Sequence, residues 1–128
     1  MPKLIGIDYG EKRVGVAVSD DSGSIAFPKA TFPNDRTLLP TLIELIRKEN
    51  ASVVVIGESK NSSGQDNAIM GGVRGLVGDL ERSVAVIVHY EPEFYTSVEA
   101  RRDTGNKFVD AEAATIILNS YISRTKKS

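Results

Sequence analysis

The chain has 128 residues, 41% hydrophobic and 26% charged, which is long enough for one globular domain with a real core. With no cysteine and one histidine, His89, it excludes a disulfide framework, a thiolate metal site and a two-histidine relay. A formal net charge of −1 excludes a broadly basic surface for nonspecific nucleic-acid binding, though not a nucleic-acid enzyme whose carboxylates lower its net charge.

Residues 3–9 read as a strand of nearly continuous apolar character, as a central strand would be, climbing to the single carboxylate Asp8. The glycines beside it fit a tight hairpin and leave room for a bulky anion to approach the backbone. The plain alternative is a turn aspartate that only hydrogen-bonds its own loop. A second strand over 13–19 places Val14, Val16 and Val18 on one face. Asp20-Asp-Ser-Gly23 has hairpin chemistry, and a third strand follows over about Ser24–Thr31.

The period then becomes helical. Leu38/Leu39, Leu42/Ile43 and Leu45/Ile46 predict a helix from near Thr37, with Pro40 tolerated in its first turn, to near Asn50. Ser52–Gly57 is a short buried strand, and a helix between strands implies a parallel crossover. Glu58–Asp66 is a polar loop. Ile69, Val73, Leu76, Val77 and Leu80 form the stripe of a second helix that also carries Gly71, Gly72, Gly75 and Gly78, so either a neighbour packs very close or the helix is soft. Ser83–Tyr90 is the fifth strand. Thr96-x-x-Glu99 has capping-box form and opens a short helix to about Arg102. Asp110 opens a last helix through Ala113, Ala114, Ile117, Leu118 and Tyr121, and a basic tail over 124–128 frays into solvent. The order βββ-α-β-α-β-α-α describes a mixed α/β domain over residues 1–123; the sequence reads without a transmembrane segment or leader, and a cytoplasmic protein is the expectation.

Sites in open α/β sheets form beyond the carboxyl ends of parallel strands. Asp8 ends the first strand, Glu58 follows the fourth, and Glu91 and Glu93 follow the fifth. Parallel neighbours would bring them to one edge, with Asp110 completing the group if the last helix crosses the sheet end. Such carboxylates repel unless bridged, and oxygen-only ligands suit two Mg²⁺ or Mn²⁺ ions engaged in phosphodiester hydrolysis. Each acid also has a plainer reading: Asp110 as a helix cap, Glu58 as a loop charge, and one of Glu91 and Glu93 as a solvated side chain. Lys12 and Arg13, Arg101 and Arg102, and Lys107 are candidates for flanking the same edge and holding phosphates, with solvated charge as the plainer reading of any single one. His89 reads as structural.

The stretch Gly6-Ile-Asp-Tyr-Gly-Glu-Lys-Arg-Val-Gly-Val-Ala-Val-Ser-Asp20 resembles the opening motif of the YqgF (RuvX) family of Holliday-junction resolvases, also described as pre-16S rRNA nucleases. Thr96-Ser-Val-Glu-Ala100 and Asp110–Leu118 resemble its two later motifs, so the likeness covers essentially the whole chain. It implies an RNase H-like fold related to RuvC and metal-dependent cleavage of structured nucleic acid. Two departures stand out. Gly57-Glu58-Ser59 replaces the usual Gly-Leu-Pro and brings a RuvC-like acid. Pro92-Glu93-Phe94 replaces Asp-Glu-Arg, so that Glu93 matches the family's acid while the Arg is missing. The resemblance thus implies Asp8, Glu58, Glu93 and Asp110 as ligands of two ions. Paired cuts in a junction would need two active sites, hence an expected homodimer. The competing readings are a non-catalytic nucleic-acid-binding module and a sugar-kinase or actin-like ATPase, the latter needing two such domains.

Overall fold

A computed structural model describes residues 3–58, 70–92 and 107–126, with the side chains of 107–110 and 126 outside that description. The elements are β1 (Lys3–Tyr9), β2 (Arg13–Ser19), β3 (Ala26–Pro33), α1 (Leu38–Glu49), β4 (Ala51–Glu58), α2 (Met70–Ser83), β5 (Ile87–Pro92) and α3 (Lys107–Lys126). The five strands form one mixed sheet in the order β3-β2-β1-β4-β5. β1 pairs antiparallel with β2, and β2 with β3, whereas β1–β4 and β4–β5 are parallel. The expected α/β architecture is therefore present. The short helix expected over Thr96–Arg102 lies outside the described residues.

Alternation along the strands separates two cores. Ile5, Ile7, Val14, Val16, Val54 and Ile56 turn to the face covered by α1 and α2. Leu4, Ala17 and Val55 turn to the opposite face and meet Ala114, Ile117, Leu118 and Ile122 of α3. Gly6 lies on this second face, where an added Cβ would stand 2.8 Å from Leu118 Cβ and 2.9 Å from the Ala114 carbonyl oxygen. The missing side chain is what lets α3 lie directly on the central strand.

Several boundaries follow from local chemistry. Asp35 Oδ1 accepts hydrogen bonds from the Thr37 amide and hydroxyl just before α1. Asn50 ends that helix in the left-handed region at φ 55°, its amide donating to the Arg47 and Ile46 carbonyls. Two expectations need correction. The last strand begins at Ile87, because Ser83 still belongs to α2 and Val84–Val86 serve as the connection. The chain does not fray at Arg124: α3 continues to Lys126, and Arg124 is tied to Glu91.

Candidate active site

Asp8 sits one residue before the end of β1, flanked by β2 through the Asp8–Gly15 register and by β4 through Ile7–Ile56. Its side chain is only 2% exposed. A carboxylate enclosed to this degree at a strand end calls for compensation by hydrogen bonds or cations. Its Oδ1 atom is buried without a hydrogen bond, although the residue does have an interaction partner.

The parallel pairs bring the C-terminal ends of β1, β4 and β5 to one edge, as expected. Glu58 is the last residue of β4 and is half-buried, level with Pro92 at the end of β5. Glu93 follows Pro92 in sequence and lies outside the described residues. Register adds a distinction that the sequence did not reveal. Asp8 continues the Leu4–Gly6 row toward α3, whereas Glu58 continues the Val54–Ile56 row toward α1 and α2. The pleat thus starts these two carboxylates on opposite faces of the sheet.

Asp110 lies in the first turn of α3, with its side chain outside the description. The course of the helix places that turn. Ala114 and Leu118 lie over Gly6, and Ile122 belongs to the same cluster as Leu4, so α3 runs antiparallel to β1. Two strand residues span about 6.6 Å, or roughly four helical residues. The beginning of α3 therefore lies over the Asp8 end of β1. Among the described residues, no group of three or more His, Cys, Asp or Glu side chains could hold a metal ion.

The sequence left one of Glu91 and Glu93 to solvent without deciding which, and Glu91 is not solvated. It is 4% exposed, level with Gly57 on the α3 side, and both oxygens are engaged. Ser120 Oγ donates to Oε2 at 2.9 Å, and Arg124 donates to Oε1 from Nε at 3.2 Å and Nη2 at 2.5 Å. This partner raises the Arg124 pKa above its ordinary value. His89, on the same face, stacks on Tyr121 with ring centroids 5.4 Å apart, and the Arg124 guanidinium lies 5.6 Å from the Tyr121 centroid. These contacts fasten α3 to β5.

The loop between β1 and β2 is tightly made. A Cβ on Gly10 would lie 2.5 Å from the Arg13 carbonyl oxygen, so only glycine fits there without displacing the turn. Lys12 is exposed and Arg13 half-buried at its far end. Asn34, just past β3, donates from Nδ2 to the Gly10 carbonyl at 2.8 Å and from its amide to the Lys12 carbonyl at 2.9 Å. Nothing in the sequence pattern singled Asn34 out; the only signal was its place in a polar turn beside a strand end. Arg101 and Arg102 lie outside the described residues, and for Lys107 only the backbone, at the start of α3, is described.

The family profile described as "RuvX: Holliday junction resolvase" matches residues 2–124. A "Putative pre-16S rRNA nuclease" of Nitratidesulfovibrio vulgaris (strain Miyazaki F) is 37% identical over 133 residues, covering 94% of this chain and 93% of the relative. A protein of the same description from Phocaeicola vulgatus is 33% identical and covers 98% and 99%. Among solved structures, T. thermophilus RuvC in complex with a Holliday junction substrate superposes with a TM-score of 0.62 at 15% identity, over 96% of each chain. The Fowlpox virus resolvase bound to Holliday junction DNA gives 0.56 at 9% identity, over 96% of this chain and 98% of that one. These structural likenesses establish the RuvC-like, RNase H-like fold.

Proposed function

Because the chain belongs to the RuvX family of nucleases, we propose that it is a metal-dependent endonuclease hydrolysing phosphodiester bonds in structured nucleic acid. The observation that carries this reading is the buried Asp8 carboxylate at the C-terminal end of the central strand, where the parallel strands finish together. The donor set fits a hard divalent cation: carboxylates are the available ligands, cysteine is absent, and the one histidine is stacked on Tyr121.

Asp8, Glu58, Glu93 and Asp110 are the residues we assign to hold Mg²⁺ or Mn²⁺. Two such ions would activate a water molecule and stabilise the leaving 3′ oxygen. Adjacent strand ends lie about 4.8 Å apart, and Asp8 and Glu58, which start on opposite faces, would reach over the rim of the sheet to share a pair of ions. Lys12, Arg13, Arg101, Arg102 and Lys107 are assigned to the phosphate backbone, which they position without reading sequence.

The test is cleavage of labelled four-way junction DNA, precursor 16S rRNA and single-stranded RNA in Mg²⁺ or Mn²⁺, with Asp8→Asn as the control. We expect one of the two structured substrates to be cut and the variant to fall to background. Equal cleavage by both proteins would reject the assignment, and binding without cleavage of any substrate would favour a non-catalytic module. If the junction is the substrate, paired cuts require a homodimer, to be seen by gel filtration with DNA present.

A further inference from the structure

The loop that carries the chain away from Asp8 is held from outside its own hairpin. Its two carbonyl oxygens at Gly10 and Lys12 both accept hydrogen bonds from Asn34. Asn34 is itself well anchored. β3 pairs with β2 as far as Pro33–Arg13, which sets the next residue beside Lys12. On its other side, the Leu38 amide donates to the Asp35 carbonyl and the Asp35 carboxylate holds Thr37, so the chain is fixed as it enters α1.

From this geometry we infer that Asn34 is a positioning residue that prepares the Gly10–Lys12 turn to receive a phosphate of the substrate. The inference rests on the nuclease reading above. Carbonyl oxygens beside a phosphate track repel the anion unless donors occupy them. Asn34 occupies both and fixes the orientation of the turn, on which Lys12 is exposed. Asp8 depends on Asn34 much less, because the ladder with β2 and the adjacent pairing with β4 already fix its backbone. The effect of Asn34 therefore belongs to substrate binding rather than to the chemical step.

That division can be measured on the full chain with whichever substrate the wild type cleaves. Asn34→Ala should raise KM about five- to tenfold and leave kcat within about twofold. Asn34→Asp should raise KM further, since it cannot donate to Gly10 and adds a negative charge. The control is Asn119→Ala, which removes a side-chain hydrogen bond to the Ala26 amide far from the turn. A KM change in Asn34→Ala no larger than in this control would overturn the inference, as would a fall in kcat at constant KM. A wild-type chain that neither binds nor cuts nucleic acid would overturn the nuclease reading and this inference together. Wild-type cleavage with unaltered Asn34 variants would overturn the inference alone.

Discussion

Four glycines stand within eight residues of α2, and their surroundings divide them. A Cβ at Gly72 would come 2.5 Å from the Tyr9 hydroxyl, so close packing of β1 on the helix explains that position. Gly71 and Gly75 are exposed and face nothing within 4 Å. Gly78 meets only the tip of Arg82, a side chain that can move. We expect Gly75→Ala to stabilise the protein by about 0.5–1 kcal/mol by removing backbone freedom from the unfolded chain, and Gly71→Ala, in the first turn, by less. Gly72→Ala should destabilise, because the phenol of Tyr9 has to swing away. Gly6→Ala should cost more, about 1–3 kcal/mol, because the Ala114 carbonyl and the Leu118 Cβ belong to a packed helix and cannot step aside. Urea unfolding of the four variants decides the order. A uniform gain or a uniform loss across them would contradict it.

At the scale of elements, α3 is fastened at both edges of the sheet. Asn119 Oδ1 accepts the Ala26 amide of β3, while Ser120 and Arg124 hold Glu91 of β5. Glu91→Ala should destabilise by about 2 kcal/mol, because it removes a buried acceptor of charge-assisted bonds. Arg124→Ala should cost at least as much, because it leaves the buried Glu91 carboxylate without its cation while Ser120 still donates to it. Thermal or denaturant unfolding unchanged in both variants would show that Glu91 does not anchor the helix. This clamp was not legible in the sequence. Glu91 looked like one of two acids after a strand and Arg124 like a fraying tail, because their partnership spans 33 residues and leaves no local pattern. The strands were legible where turn chemistry bounded them: β1 and β2 occupy the expected 3–9 and 13–19. β5 was read too early because Val84 and Val86 are apolar enough to resemble strand while serving as the connection, where they pack against the core from partly buried positions. At the candidate site, the edge at which Asp8 and Glu58 emerge could be read from the order of elements. The face each one starts on could not, since it depends on register between distant strands.

Across the whole molecule, the two ends of the sheet use charge differently. At the C-terminal edge of the parallel strands stand the buried Asp8 and the half-buried Glu58. At the opposite end, Lys3 of β1 bonds Glu49 of α1 at 2.8 Å and lies 3.4 Å from Asp21, while Lys29 of β3 lies 3.6 Å from Glu49. The hydrogen bond from Lys3 is the main influence holding the Glu49 pKa below its ordinary value of 4.5, against the opposing effect of burial. Glu49 likewise raises the Lys3 pKa above 10.5. A depressed carboxylate contributes stability above its unfolded value and loses it as pH falls through the folded one. A raised ammonium contributes below its unfolded value and loses it as pH rises through the folded one. The network should therefore support the fold throughout the neutral range and weaken below about pH 4.5 and above about pH 10.5. Glu49→Gln should accordingly lower stability at pH 7, with the gap from wild type closing in acid as Glu49 itself is protonated. A gap that stays constant from pH 7 to pH 3 would assign the loss to packing. Because this network stands at the far end of β1 from Asp8, Glu49→Gln should also leave KM and kcat at pH 7 near wild type, measured well below its melting temperature. Loss of cleavage in Glu49→Gln at a temperature where it remains folded would show that the two ends of the sheet are coupled.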